Sequence, residues 1–477
     1  MTRPPGPPPA ARVARALRCR GQRPAWQVRR LLTVEIPADR NVHVSVHLQI
    51  SGGGPHYTST QFASAILPPQ SAPVRLAARF PPRSTRACSS TSAERRGGDI
   101  RSPFSKCFGS ILGVAHDFVP GLELAERFYW EAVAPVLPQV AHSAALIGGG
   151  SEVLGFDTER STDHNWGPRL QLFLSGPDLE RHGDAITGLL AEQLPRTFLG
   201  YPTNLQPIAA DGTRQMRMTS GEVHHGVVVA ELGDWLRGQL GFDPRAGVTA
   251  FDWLATPTQV FAEVTGGAVY HDELGLELVR ERLAWYPDDL WRYLLACQWQ
   301  RISQEEAFTG RCGEVGDELG SAVVAGRLVR DLMRLCLLAQ RCYPPYSKWL
   351  GSAFAQLPVS KDLTPVLTAA LAATNWRDRE RHLATAYETV AAMHNDLGLT
   401  DTIDPSTRPY HERPFQVLHA ERFAHALRES ISDDAVRGLP LVGNVDQFLD
   451  NTDVLCHHER RRAAARALHM GCGSAGG

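Results

Sequence analysis

The spacing of apolar positions changes near residue 275, so the chain has one sequence pattern before this point and another after it. Before it, short apolar runs predict strands over residues 170–174 and 223–231, and in the second run alternate positions share one face. Amphipathic helices are predicted over residues 122–137 and 178–194. Short strands mixed with helices within about 150 residues indicate one small α+β domain.

After residue 275, strands nearly vanish and helical periodicity takes over. Along residues 319–342, apolar side chains recur every three or four residues, as they do on one face of a helix. The same periodicity runs through residues 290–301 and 379–397. We therefore expect this second part of the chain to be a helical bundle.

These patterns predict an α+β fold with four segments. Residues 1–116 form a basic arm rich in proline and arginine, residues 117–275 a mixed-sheet domain, residues 276–450 an all-helical bundle domain and residues 451–477 a flexible tail. A chain of 477 residues is long enough for two or three domains, which agrees with this division.

Charge separates the arm from the rest of the chain. Residues 1–116 hold 17 Lys and Arg against 4 Asp and Glu, a balance of +13, and the remaining residues hold 32 against 47, a balance of −15. Proline and arginine at this density predict disorder, because little apolar surface is available to offset chain entropy. A nucleic-acid-binding arm and a transit peptide are alternatives. We prefer a third interpretation, in which the start codon is assigned too far upstream.

Cysteine usage and hydropathy indicate the compartment. The nine cysteines include no C-x-x-C pair, and we interpret them as reduced thiols. No apolar run approaches the roughly 20 residues that a membrane helix needs. We expect a cytoplasmic protein without a membrane partner.

Candidate chemistry is concentrated between residues 147 and 165. The run Ile147–Gly148–Gly149–Gly150–Ser151 ends a short apolar segment, and Asp163 and Asn165 precede the next predicted strand. Backbone N–H groups of a glycine turn approach phosphate oxygens closely, and a carboxylate at a strand entrance can hold a hard cation beside them. The alternatives are a plain glycine turn, and Asp163 and Asn165 acting only as turn residues.

This layout resembles the nucleotidyltransferase superfamily, whose signature is a Gly-Ser turn, a spacer of roughly ten residues and two carboxylates one residue apart. Gly150 and Ser151 match the turn, and Asp163 matches the first carboxylate. The second position is Asn165, an uncharged amide, so the magnesium site would be weaker than the family's pattern makes it. The resemblance implies that Gly150 and Ser151 bind phosphates and that Asp163 and Asn165 bind Mg²⁺.

Three further segments resemble one particular family. Residues 163–169, 298–306 and 346–349 are similar to a mostly actinobacterial family, domain of unknown function 4037, over about residues 117–434. That likeness implies a small nucleotidyltransferase-like mixed-sheet domain followed by an all-helical bundle domain. The family has no settled activity, so fold is implied more strongly than reaction.

Nucleotidyl transfer also needs a base or third carboxylate beside the attacking hydroxyl. Alternation along residues 223–231 places Glu231 at the strand end, from which it could emerge beside Asp163. We expect Glu231 to fill this catalytic role. Glu222 and Asp252 are rivals, and a solvated glutamate at a strand end is the common alternative.

Two cations are candidates for phosphate contact. Arg169 follows the Asp163 segment, which is residues 163–168, and either binds phosphate, pairs with Asp163 or Asp157, or lies on the surface. Lys348 stands in an aromatic turn after a long helix, residues 343–349, which we call the Lys348 segment. There it either contacts phosphate or lies beside aromatic side chains that pack one helix on the next. His224 and His271 lack partners at zinc-ligand spacing, so we expect them to make local hydrogen bonds.

The function that follows is a Mg²⁺-dependent nucleotidyltransferase that moves a nucleoside monophosphate from a nucleoside triphosphate to an unknown hydroxyl acceptor. The alternative is a catalytically degenerate member of the same fold that binds nucleotide or protein. Asn165 is the observation that favours the alternative. A nucleic-acid partner is not expected, and the sequence does not indicate an oligomeric state.

Overall fold

The computed structural model describes residues 27–35, 42–51, 58–65, 118–210 and 212–469. The chain divides into two units between Arg101 and Ser102. None of the helices in the described residues combines the length and apolar character that a membrane-spanning helix requires.

The first unit contains a three-stranded antiparallel sheet in the order β1-β2-β3. Its strands are β1 (Gln27–Glu35), β2 (Val42–Ser51) and β3 (Thr58–Ala65). These strands lie within the segment for which the sequence predicted disorder. The rest of residues 1–116 lies outside the described residues, where disorder stays a prediction.

The second unit contains ten strands among its described residues, most of them short. They are β4 (His142–Leu146), β5 (Arg169–Leu174), β6 (Thr197–Phe198), β7 (Tyr201–Pro202), β8 (Leu205–Pro207), β9 (Arg214–Met216), β10 (Gly226–Glu231), β11 (Ala268–Asp272), β12 (Arg408–Pro409) and β13 (Gln416–Val417). Four of them form a mixed sheet in the order β10-β5-β4-β11. In this sheet β10 runs parallel to β5, while β5 and β11 run antiparallel to β4. The mixed sheet expected from the sequence is thereby confirmed.

The central strands β4 and β5 are buried along almost their whole length because helices cover both faces. On one face Ala144, Leu170 and Leu172 pack in a core with α1 (Gly121–Phe128) and α2 (Gly176–Gln193). On the other face Ala145 and Phe173 join a larger core that includes α3 (Leu232–Leu240). The period of two along a strand sends neighbouring residues into different cores.

Most of the chain after β10 is helical, which confirms the helical content expected from the sequence. The remaining helices are α4 (Ala250–Leu254), α5 (Thr258–Thr265), α6 (Leu276–Arg282), α7 (Asp288–Glu305), α8 (Phe308–Glu314), α9 (Glu318–Ala339), α10 (Ser347–Ala355), α11 (Ser360–Ala372), α12 (Trp376–Asp396), α13 (Glu421–Glu429), α14 (Asp434–Arg437), α15 (Val445–Phe448), α16 (Thr452–Leu455) and α17 (His458–His469). The predicted flexible tail thus includes two helices, and residues 470–477 lie outside the described residues.

The sheet and the helices share one core. Buried side chains from the sheet, such as Phe173, belong to the same cluster as Leu294 of α7 and Leu332 of α9. The change in pattern at residue 275 therefore marks a change of secondary structure inside one packed unit.

Glu306 connects the end of α7 to the segment that leads into α13. Its side chain is buried, and its two carboxyl oxygens accept the backbone N–H groups of Leu418 at 2.7 Å and Ala420 at 3.1 Å. Burial raises the pKa of Glu306 to about 7, although the two N–H groups oppose that rise.

Stability is expected to depend on pH through Glu306. The unfolded chain releases this proton near pH 4.5, whereas the folded chain keeps it until about pH 7. The free energy of unfolding should therefore fall by about 3 kcal/mol as pH rises through this window. Urea unfolding at a series of pH values measures the fall, and Glu306→Gln should remove it. The exposed Glu429→Gln is the matched control, and a pH dependence unchanged in Glu306→Gln would contradict the prediction.

Candidate functional site at one edge of the mixed sheet

The end of β4 and the start of β5 lie at the same edge of the sheet, because the two strands are antiparallel and Ala145 pairs with Gln171. The buried Gln171 side chain extends this pairing beyond the strand. Its amide oxygen accepts the N–H of Ile147 at 3.1 Å, and its amide nitrogen donates to the Ile147 carbonyl at 2.9 Å. This contact fixes the point at which the glycine turn begins.

The glycine turn uses backbone conformations that favour glycine. Gly148 has φ +85° and Gly150 has φ +157°. A Cβ on Gly148 would lie 3.2 Å from the Trp235 ring, whereas a Cβ on Gly149 would meet no described heavy atom within 4 Å. The middle of the turn therefore faces open space, which is where a ligand could approach the backbone.

A buried ion pair lies against the turn. Glu152 is 2% exposed, and its carboxylate accepts from Arg169 Nε at 2.9 Å and from Arg169 Nη2 at 2.5 Å. Arg169 Nη2 also donates to the Gly149 carbonyl at 2.8 Å. A Cβ on Gly150 would lie 2.8 Å from the Glu152 carboxylate. Arg169 thus braces the turn, and its partner is Glu152 rather than Asp163 or Asp157.

Asp157 has a structural task nearby. Its carboxylate accepts the N–H of Gly121 at 2.7 Å and the indole N–H of Trp166 at 3.1 Å. A Cβ on Gly121 would lie 2.6 Å from the Cβ of Glu152 and 2.8 Å from the Trp166 nitrogen. The start of α1 therefore packs between Glu152 and Trp166, which brings Trp166 close to the residue that follows the glycine turn.

Asp163 and Asn165 have different surroundings. The Asp163 side chain is 60% exposed, and its carboxylate lies 2.8 Å from His164 Nδ1. Asn165 has φ +48°, a left-handed conformation that asparagine tolerates. Its amide oxygen accepts the N–H of Arg214 at 2.8 Å, and its own N–H donates to the Arg214 carbonyl at 2.8 Å. Asp163 is open to a ligand, while Asn165 also anchors the β9 segment.

The register separates Glu231 from this edge. Gly226 pairs with Arg169 and Glu231 pairs with Leu174, so Glu231 lies at the other end of β10, about 16 Å along the strand. There its carboxylate caps α3 through the N–H of Asp234 and lies 3.5 Å from Arg245 Nη2. The expectation that Glu231 emerges beside Asp163 does not agree with this arrangement, because β10 runs parallel to β5.

The two rivals of Glu231 have different positions. Asp252 is buried, accepts the N–H and hydroxyl of Thr249 in a capping box, and pairs with Arg462 at 2.8 Å. Glu222 is exposed and precedes β10, whose first residue pairs with the first residue of β5. Of these three carboxylates, Glu222 is therefore the one at the end of β10 that lies beside the start of β5, which follows Asp163 in the chain.

The Lys348 segment contacts the chain that leaves the glycine turn. Phe156 donates its N–H to the Ser151 carbonyl at 2.8 Å, and its ring stacks on Trp349 with ring centroids 5.3 Å apart. Lys348, in the first turn of α10, places its Nζ 4.8 Å from the centroid of the Trp349 ring. These contacts agree with aromatic packing, and contact between Lys348 and phosphate stays a prediction.

Helix α5 also connects the glycine turn to the Lys348 segment through hydrogen bonds. Gly148 donates its N–H to the Glu263 carbonyl at 2.7 Å, and the Glu263 side chain accepts from Gln259 Nε2 at 2.7 Å. Gln259 Oε1 in turn accepts the N–H of Tyr346 at 2.9 Å. Burial raises the pKa of Glu263. One face of α5 therefore holds both the glycine turn and the entrance to α10.

The sequence analysis singled out the glycine turn, Asp163, Asn165 and Arg169 as candidates, but it missed Glu152. A glutamate after a Gly-Ser turn looks like a polar loop residue, and its pairing with Arg169 spans 17 positions. The local signal that could have found it is the arginine at a strand start, which needs a carboxylate partner when it is mostly buried.

Comparison with known proteins gives one family. Residues 253–350 match the family model described as a domain of unknown function, DUF4037, a range that contains α5 and the Lys348 segment. No curated protein and no solved structure matches the chain. This part of the chain is therefore similar to the DUF4037 family.

Proposed function

We propose that the edge formed by the glycine turn and the Asp163 segment binds a Mg²⁺–nucleoside triphosphate, and that the chain transfers a nucleoside monophosphate to a hydroxyl acceptor. The observation that carries the proposal is that an open glycine turn follows β4 and the exposed carboxylate of Asp163 precedes β5, at the same end of these two paired strands. Backbone N–H groups in such a turn suit phosphate oxygens, and an exposed carboxylate suits a hard cation.

The residues fit a weakly held magnesium ion. Asp163 offers one charged oxygen, and the Asn165 amide oxygen keeps a second lone pair beside the one that accepts the Arg214 N–H. Mg²⁺ usually keeps several waters and takes one or two carboxylates together with substrate phosphates. When bound, the ion would neutralise charge on the triphosphate and the leaving pyrophosphate.

The transfer step places a demand on the chain. The acceptor oxygen forms a bond to the α-phosphorus, the bond between the α-phosphorus and the bridging oxygen breaks, and pyrophosphate leaves with the electron pair. The hydroxyl proton must move to a base. Because the register separates Glu231 from Asp163, we assign that task to Glu222, which precedes β10 at the Asp163 end. Lys348 would contact phosphate from the α10 side.

A second candidate function is nucleotide or protein binding without catalysis. Asn165 favours it, because the amide already holds the β9 segment and supplies no charge where the resemblance implies a carboxylate. The position of Glu231, which caps α3, favours it as well. In this function the glycine turn would bind the same phosphates, but the site would lack the charge that supports a leaving pyrophosphate.

Restoring the missing charge separates the two functions. Asn165→Asp is expected to raise pyrophosphate release by at least about tenfold, because a second carboxylate strengthens the metal site. The assay takes ATP, GTP, CTP and UTP with glycerol as hydroxyl acceptor. Asp163→Ala in the same assay gives the background rate. A gain in Mg²⁺–nucleotide affinity in Asn165→Asp, with no pyrophosphate released by wild type or by Asn165→Asp, would support binding alone and contradict the transferase.

A further inference from the structure

Two histidines and a glutamate meet at the opposite end of β4 from the glycine turn. His142 begins β4, and His271 on β11 pairs with Ala144 two positions further along. The imidazole ring centroids of the two histidines are 4.4 Å apart. Glu273 follows β11 directly, and its carboxylate accepts the N–H of His142 at 3.0 Å. His142 lies about 13 Å along β4 from Leu146, and the glycine turn lies beyond Leu146, so the group is separate from the site described above.

A β-bulge brings the two histidines to one face. The pairing of β11 with β4 shifts between Val269 and His271, which leaves Tyr270 as the extra residue. A bulge changes the direction of the side chains that follow it. Because His271 stands opposite Ala144, and His142 lies two positions from Ala144 on β4, the two imidazoles share a face of the sheet.

The distances suit a tetrahedral metal ion. Glu273 Oε2 lies 3.2 Å from His271 Nε2 and 4.0 Å from His142 Nδ1, and one ligand atom from each residue lies within 4.8 Å of the others. Zinc bonds of about 2.0–2.2 Å in a tetrahedron put neighbouring ligand atoms about 3.4 Å apart. The first distance already fits, and the second needs to close by less than 1 Å.

The buried Nε2 atom of His271 faces the Glu273 carboxylate. The two atoms lie 3.2 Å apart as an ion pair, but their alignment does not meet that of a hydrogen bond. A buried polar atom without a partner costs stability. A metal ion between the two atoms would satisfy the histidine nitrogen and the carboxylate oxygen at once.

Tyr129 positions His142 from behind. The Tyr129 hydroxyl lies 2.9 Å from His142 Nε2, and the tyrosine side chain is buried. Coordination through Nδ1 requires the hydrogen on Nε2, which can then donate to the Tyr129 oxygen, an arrangement common around metal-binding histidines. Without metal, His142 Nδ1 donates to the Val140 carbonyl at 2.9 Å, so coordination through Nδ1 would replace that hydrogen bond and move the hydrogen to Nε2.

We infer that His142, His271 and Glu273 form a binding site for one divalent zinc-class cation, with a fourth position open to water. Two imidazole nitrogens and one carboxylate oxygen are the donors that zinc takes. The ion would join the first residue of β4 to the end of edge strand β11. This inference differs from the local hydrogen bonding that the sequence predicted for His271, and it does not depend on the proposed function.

Zinc titration of the full-length, EDTA-treated and dialysed protein tests the site. We expect one ZnCl₂ equivalent to bind by calorimetry and to raise the melting temperature, and CoCl₂ to give the visible absorbance of a tetrahedral complex. Glu273→Gln should weaken zinc binding by more than about tenfold. Since this side chain is 49% exposed and glutamine can still accept the His142 N–H, the variant should fold.

Two further variants complete the test. His271→Ala should match Glu273→Gln in its loss of zinc affinity, whereas the exposed His425→Ala should bind zinc as wild type does. Wild-type zinc affinity in Glu273→Gln and His271→Ala would overturn the inference, because the ion would then be held elsewhere, for example at the exposed Cys456. Absence of zinc binding to the wild-type protein would overturn it too.

Discussion

Replacing Glu152 with alanine is expected to lower the free energy of unfolding by about 3–5 kcal/mol. The carboxylate is 2% exposed and accepts both Nε and Nη2 of Arg169, whose side chain is 18% exposed. Removing it leaves a mostly buried guanidinium without its counter-charge beside the Gly149 carbonyl. The glycine turn should lose its fixed geometry together with that stability.

Urea unfolding measures this loss, and Glu159→Ala, an exposed glutamate at the start of the short 3₁₀ helix Glu159–Asp163, is the control. That control should change stability by less than about 0.5 kcal/mol. A double-mutant cycle with Arg169→Met separates the pair from the loss of volume, since the double variant should cost much less than the sum of the two single changes. A Glu152→Ala variant as stable as its control would contradict the ion pair.

Asp163→Ala is expected to weaken Mg²⁺–nucleoside triphosphate binding by about 10–100-fold, which corresponds to about 1.4–2.8 kcal/mol. Within the proposed site, Asp163 is the charged ligand for the cation, and Asn165 supplies only an amide oxygen. Because the Asp163 side chain is 60% exposed and contacts His164 at the surface, stability should stay within about 0.5 kcal/mol of wild type. Loss of affinity would therefore report the site and not the fold.

The control for that change is Asp184→Ala, an exposed aspartate on α2. It removes the same charge from the protein and should leave nucleotide affinity unchanged. Affinity should be measured by calorimetry with Mg²⁺ present. Equal affinity in Asp163→Ala and Asp184→Ala would contradict the role of Asp163 and leave phosphate binding at the turn to be tested separately.

Much of the sheet could be predicted because burial leaves a mark in local sequence. The run at residues 170–174 is apolar at most positions, since β5 is covered on both faces, and the structure has β5 at Arg169–Leu174. Period-two alternation similarly identified the strand that ends at Glu231. The glycine turn could be located because glycine is required at the positive φ of Gly148.

What the sequence could not provide is the direction in which strands pair. Alternation indicates the face on which Glu231 lies but not the end of the sheet that it reaches, and parallel pairing with β5 puts it far from Asp163. Edge strand β11 is short and follows Gly266 and Gly267, so no clear pattern predicted it. His142 and His271 approach each other only after β11 pairs with β4, and no local spacing signals that contact.

Calorimetric titration of ATP, GTP, CTP and UTP into the full-length protein, with Mg²⁺ and with EDTA, tests the central claim most directly. The proposed nucleotide site predicts one-to-one binding of at least one nucleotide with Mg²⁺ and a large loss of affinity when EDTA removes the ion. No binding of any of the four nucleotides in the presence of Mg²⁺ would contradict a nucleotide site at the glycine turn.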